Sequence, residues 1–202
     1  RVVINDDVAV KDSLYTVGRR GVAGNFFVMK ACGAASEEGK NLQELVSIGN
    51  QVVEVTRTMG MALTGCTPPA KGSPIFELAE DEMEIGIGIH GEPGRKRVPL
   101  QPANKIVDEL FEAVADDLPY KEGDEVALMI NGMGGTPISE LYLLYGHAHE
   151  LCEKRGLKIK RNYVGDYCTS LEMMGFSLTL VKLNPELERL LAAPAEIAIH
   201  TF

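Results

Sequence analysis

Tryptophan is absent from this chain of 202 residues, aromatic side chains make up only 6% of it, and the four cysteines form no CxxC pair. Cys32, Cys66, Cys152 and Cys168 lie too far apart in sequence for a thiolate zinc site. A chain this long can bury a core of its own and needs no disulfide or metal staple. Basic residues are also scarce: Lys plus Arg total 20 against 29 for Asp plus Glu, a formal charge of -9. Binding to nucleic acid by counterion release requires a basic face, and so does docking on an anionic membrane surface, so neither partner is expected. No apolar run approaches the roughly 20 residues of a membrane-spanning helix. Arg1-Val2-Val3-Ile4 runs straight into Asn5-Asp6-Asp7, without the apolar stretch of a secretory signal. A cytoplasmic protein with reduced thiols is the expectation.

The chain opens inside what reads as a strand, Val2 to Ile4, left by a polar turn at Asn5-Asp6-Asp7. This suggests a piece that begins within a larger α/β domain. Residues 12–38 carry helical material interrupted by Gly18, Gly21, Gly24 and Gly33. The spacing of Leu42, Leu45, Val46, Gly49, Val52 and Val53 predicts a helix over 41–59, closed by Gly60. Candidate strands follow at 62–64, 75–78, 83–89, 125–130, 157–164 and 176–183. Two longer helices separate them. One starts at Pro102, with Ile106, Val107, Leu110, Phe111 and Val114 as its stripe; the other is capped by Thr136, with Ile138, Leu141, Tyr145, Ala148 and Cys152 on one face. A short helix over 185–191 closes the pattern. Six strands and two long helices after Gly60 predict a two-layer α/β domain with a mixed sheet.

Several motifs compete for chemistry. Gly86-Ile87-Gly88-Ile89-His90-Gly91 matches GxGxxG, but Glu92-Pro93-Gly94 and a basic run follow it where a dinucleotide site needs a helix. Gly132-Met133-Gly134-Gly135-Thr136-Pro137 leaves a strand and opens a helix, so its amides would form an anion cradle or else simply a tight turn. His147 and His149 are two residues apart on a helix and cannot reach one ion together. Asp166-Tyr167-Cys168-Thr169-Ser170 offers a thiol and hydroxyls without a nucleophile elbow. His90 differs from these. It ends an alternating strand among glycines that let a ligand approach the backbone, and a neutral imidazole is a nucleophile toward a carbonyl carbon when a partner holds its other nitrogen.

Four separated stretches together resemble one family. These are Ile4-Asn5-Asp6-Asp7-Val8-Ala9-Val10-Lys11-Asp12-Ser13-Leu14 with Gly18-Arg19-Arg20-Gly21-Val22-Ala23-Gly24, the motif from Gly86 to Gly94, Asn131 to Pro137, and Asp166 to Ser177. In this order, over nearly the whole chain, they resemble the dihydroxyacetone kinase K-subunit family. The resemblance implies the tail of a three-layer parallel-sheet α/β domain over 1–56, followed by a two-layer α/β domain with a mixed six-stranded sheet over 57–202. It implies that His90 is both the catalytic and the substrate-binding residue, holding dihydroxyacetone as a hemiaminal. It implies no cofactor or metal in this chain; ADP recharged by a phosphotransferase relay, or magnesium ATP, would sit on a separate nucleotide-binding L subunit or domain. A homodimer is the family's usual assembly. The family's general base and second active-site histidine match no residue here, and Asp6, Asp7 and Asp12 belong to a different motif, so the chain by itself is expected to turn over little or nothing. The alternative within the same resemblance is a dihydroxyacetone-sensing transcriptional coactivator without kinase activity.

Overall fold

The computed structural model describes residues 1–11 and 18–195. Its elements are α1 (Gly24–Glu37), α2 (Leu42–Glu54), β1 (Thr56–Ala62), β2 (Glu82–Ile85), β3 (Lys96–Pro99), α3 (Ala103–Asp117), β4 (Glu125–Gly132), α4 (Ile138–Lys154), β5 (Lys158–Gly165), β6 (Gly175–Lys182) and α5 (Pro185–Ala192). The strands form one sheet in the order β3-β2-β1-β6-β4-β5. Only β4 and β5 run parallel, and α4 is the crossover that a parallel pair requires. The sheet is therefore mixed and six-stranded, in an α/β chain, as the sequence predicts.

Alternation along β4 divides the core. Val126, Leu128 and Ile130 point to one face, where Leu110 of α3 and Leu141 of α4 cover them. Ala127 and Met129 point to the other, under Phe27 of α1, Val52 of α2 and Leu190 of α5. Helices from the first 56 residues thus pack on the same sheet as the rest of the chain. Each face removes its apolar side chains from water, at about 25 cal/mol for every Å² buried.

Tertiary pairing redrew several boundaries. The helix expected over 41–59 starts at its Asn41 capping box with Glu44 but stops at Glu54. From Thr56 the chain pairs residue for residue with β6, and Gly60 sits inside that strand rather than closing a helix. A ladder of seven paired residues outweighs a weak helical pattern. Val2 and Ile4 form no strand among the described residues; they pack against the α1–α2 face, and the opening segment touches the sheet by a bridge from Asp7 to Thr58. Residues 75–78 are irregular, with Ile75 and Phe76 packed against Cys66, Ile87, Met133 and Met173. The missed strand is β3, an edge strand whose Lys96 and Arg97 face solvent, so it lacks an apolar alternation. Thr136 caps nothing: its hydroxyl donates to the Gly175 carbonyl at 2.8 Å and accepts from the Gly175 N–H at 2.9 Å. The part of the first helical stretch at 12–17 lies outside the described residues.

Asp117, at the end of α3, ties the opening segment to β1. Arg19 grips it with two bonds of 2.7 and 2.6 Å, and Arg57 Nε adds one of 2.5 Å. The hydrogen bonds from Arg19 lead in holding the carboxyl below its usual range, against the opposing pull of burial, and Arg57 adds to them. A depressed folded-state pKa contributes stability above the unfolded value of 3.8, and that stability is lost as pH falls through the folded value. Asp117→Asn is therefore expected to cost about 1 kcal/mol at pH 7, a figure kept small by solvent screening. The difference from the parent should be smaller at pH 3, below the unfolded value, where protonation begins to remove it. Urea unfolding at the two pH values checks this; an equal difference at both would refute it.

Candidate active site

The site forms where β2 leaves the sheet. After Ile85 the chain turns at Gly86, in the left-handed region with φ 81°, and rejoins the sheet at Lys96. The alternation read over 83–89 therefore stops four residues early. Within the loop, Gly91 N–H donates to the Gly88 carbonyl at 3.0 Å, and Gly88 N–H to the Glu92 carbonyl at 3.2 Å. Gly91 also needs a positive φ, 76°, and a Cβ there would strike the Ile75 side chain. A Cβ on Gly88 would strike the Glu92 carboxylate and lie 3.1 Å from an Arg20 nitrogen. The glycines are there because the loop closes tightly on itself and on Arg20, and not because a dinucleotide approaches.

His90 stands at the tip of this loop with 78% of its side chain exposed. Its Nδ1 lies 3.2 Å from Glu92 Oε1, and its backbone N–H donates to Glu92 Oε2 at 3.0 Å. One carboxylate thus holds both the ring and the main chain. Burial opposes ionisation of Glu92, but hydrogen bonds from its own N–H and from His90 outweigh it, so the carboxyl sits below the usual range. In a neutral ring, a proton on Nδ1 donated to Glu92 leaves the lone pair on Nε2. Beside the ring lies a cleft of about 340 Å³ lined by Cys66, Pro68, Ile89, His90, Thr169, Ser170 and Leu171.

Buried polar groups shape this region, and residue pattern alone did not mark their role. Asn131, wholly buried in β4, accepts the N–H groups of Tyr167 and Cys168 at 2.8 Å each and donates to the Cys168 carbonyl at 2.8 Å. It fixes the segment that brings Thr169 and Ser170 to the cleft. On the other side, Asp7 accepts Arg20 Nε at 2.7 Å. Burial pushes the Asp7 carboxyl up to about 6 while the Arg20 guanidinium pulls it back. Asp6, wholly buried, accepts the N–H groups of Val22 and Gly24 and so anchors the start of α1.

The other motifs resolve into structure. In the glycine turn after β4, Gly134 N–H donates to Asp166 Oδ1 and Gly135 N–H to the Met173 carbonyl. These amides are engaged, with a carboxylate already beside them, so the anion-cradle reading fails. His147 pairs with Asp108 at 2.7 Å, whereas His149 faces Glu153. Cys168 donates its thiol to the Val22 carbonyl at 3.1 Å, and burial pushes it up to about 11, which makes it a poor nucleophile.

The Dak1 domain model matches residues 1–199. The chain is 46% identical over 186 residues to the PTS-dependent dihydroxyacetone kinase 1, dihydroxyacetone-binding subunit DhaK, of Listeria innocua, covering 92% of this chain and 56% of that one. It is 42% identical over 224 residues to the PEP-dependent dihydroxyacetone kinase, dihydroxyacetone-binding subunit DhaK, of Escherichia coli, covering 99% and 62%. Among solved structures, the dihydroxyacetone kinase operon co-activator Dha-DhaQ superposes with a TM-score of 0.87 at 33% identity, over 96% of this chain and 60% of that one. The chain thus spans 56% and 62% of the two subunits named. With a family model running over all but its last three residues and relatives above 40% identity, this chain belongs to the Dak1 domain family.

Proposed function

We propose that this chain is the ketone-holding part of a dihydroxyacetone kinase, with His90 as the group that captures the substrate. The observation that carries this reading is an exposed imidazole whose Nδ1 is held by Glu92, at the edge of an open cleft. The Nε2 lone pair adds to the ketone carbon. As the C–N bond forms, the carbonyl π pair moves onto oxygen, which takes a proton from water. The ring passes its Nδ1 proton to the Glu92 carboxylate, which returns it to solvent. The net change is addition of N–H across C=O, a hemiaminal. Covalent capture separates the ketone from glycerol, which matches it in size but has no electrophilic carbon. It also fixes a terminal hydroxyl for in-line attack on a phosphoryl group.

The phosphoryl donor belongs to a partner in this reading: a nucleotide-binding L subunit or domain carrying ADP recharged by a phosphotransferase relay, or magnesium ATP. Dihydroxyacetone phosphate is the product, and the assembly is a homodimer of the ketone-binding subunit in the cytoplasm. Support comes from the relatives, which are named as dihydroxyacetone-binding subunits of kinases. Among the described residues, no helix is long and apolar enough to cross a membrane. The likeness to the operon co-activator favours a second reading, a dihydroxyacetone sensor that uses the same histidine without phosphoryl transfer.

Carbon NMR of the chain with carbonyl-labelled dihydroxyacetone tests the capture step. The ketone signal should be partly replaced by one from a tetrahedral, protein-bound carbon, and glycerol should give no bound species. Glu92→Gln should reduce the bound signal about tenfold, because a neutral amide withdraws the charge that orients and deprotonates the ring. No tetrahedral signal at saturating ketone would remove the reading. Phosphorylated product formed on adding the complete partner system with phosphoryl donor would exclude the sensor reading.

A further inference from the structure

The loop carrying His90 is stapled by a residue far from it in sequence. Arg20 is 8% exposed and Asp7 2%, and their ion pair lies under the loop between β2 and β3. From there the guanidinium reaches both ends of the loop. It donates to the Gly86 carbonyl at 2.6 Å on the way out, and to the Pro93 and Glu92 carbonyls at 3.1 and 3.4 Å on the way back. Gly88 packs between this guanidinium and the Glu92 carboxylate. The backbone of Glu92 is therefore fixed from below by Arg20, and the side chain of the same residue fixes His90 from above.

Resting on the reading of His90 as the ketone-capturing group, we propose that Arg20, held by Asp7, is a positioning residue that sets the ring geometry of His90 through the backbone of Glu92. A guanidinium suits this task because its donors lie in one rigid plane and can serve a carboxylate and several carbonyls at once. A lysine would keep the charge but act as a point donor, unable to span the loop mouth. Burial raises the strength of each contact, since water cannot replace a donor that is withdrawn. The staple places no group on the substrate. Its effect is to hold the Glu92 carboxylate where Nδ1 must point at it, so that the lone pair stays on Nε2.

The test uses Arg20→Lys and the double variant Asp7→Leu/Arg20→Met. The double variant replaces a buried ion pair with apolar groups of similar size and is chosen to retain the fold if the lysine variant does not. Circular dichroism establishes folding. Nitrogen NMR of the imidazole then reads the tautomer of His90 directly, without ketone. In the parent the proton should sit on Nδ1; in each folded variant the ring should shift toward the mixture of an unconstrained histidine. Amide exchange over residues 86–93 should quicken, and the fraction of protein carrying labelled dihydroxyacetone should fall about tenfold or more at fixed ketone. Swapping Glu92 for Gln should reproduce the loss of adduct without quickening exchange in the loop. A folded variant with the parent's tautomer and loop exchange would overturn the proposal. A parent that forms no adduct, but whose tautomer and loop exchange change on substitution, would uphold the staple and remove the ketone reading instead.

Discussion

His90→Ala is expected to abolish capture of dihydroxyacetone while leaving the stability of the fold unchanged. The ring is 78% exposed and hydrogen-bonds to Glu92, so its removal opens no buried cavity. Substitutions of that kind stay within about 0.5 kcal/mol of the parent. Binding is a different matter. A three-carbon polyhydroxy ketone has almost no apolar surface to bury, and each hydrogen bond to it in water contributes only about 0.5–1.5 kcal/mol net. A few such bonds give a dissociation constant of about 1 mM or weaker, since 1 mM corresponds to roughly 4 kcal/mol. Affinity beyond that range has to come from the covalent bond. Loss of the histidine should therefore weaken binding by about a hundredfold or more, to the level shown by glycerol. Isothermal titration and the labelled-ketone experiment measure it together. Binding of the ketone by a folded His90→Ala protein at the parent's affinity would take the site away from this residue.

Phe27→Ala should give the largest loss of stability among single substitutions in the helices that flank the sheet. Phe27 is wholly buried and meets Phe26 and Tyr163 edge to face, with ring centroids 5.2 and 5.5 Å apart. Tyr163 stands on β5 and also touches Phe26 and Tyr167, so one aromatic cluster joins α1 to the edge of the sheet. Removing a buried phenylalanine typically costs about 3–5 kcal/mol. For a domain of this size that lowers the melting temperature by about 10 °C. Leu42→Ala is the control: Leu42 is 70% exposed, and its truncation should shift the midpoint by about 1 °C or less. Calorimetry on both variants decides. Equal melting temperatures for Phe27→Ala and the parent would mean that α1 contributes nothing to the cooperative unit.

Much of the fold was legible because burial leaves a period in the chain. The stripe Ile106, Val107, Leu110, Phe111 and Val114 is buried throughout, as its spacing requires. The strands at 125–132, 158–165 and 175–182 fall within two residues of their expected limits. The count of six strands agrees, but its membership does not. Ile75 and Phe76 are apolar because they roof Cys66 and Ile87, whereas β3 is polar because it lies at an edge. Both give a single sequence the wrong signal for pairing, since pairing is a property of the neighbour as much as of the segment. At the site, His90 was marked by its glycines and its place at the end of a strand.

Its partner was not so marked. Glu92 is two residues away, and only a loop that turns at Gly86 and Gly91 brings that carboxylate back to Nδ1. Local chemistry, then, was enough for the α/β class and the mixed sheet, and it marked the imidazole as a candidate, because residue type and spacing carry that information along the chain. The staple from Arg20 to the Gly86, Glu92 and Pro93 carbonyls, the cover of α1 and α2 over the second face, and the cleft lined by Cys66 and Ser170 were decided by tertiary structure alone. Arg20 and the three carbonyls it holds are 66 to 73 positions apart. Contacts of that separation exist only once the sheet has formed and water has been driven from between its layers.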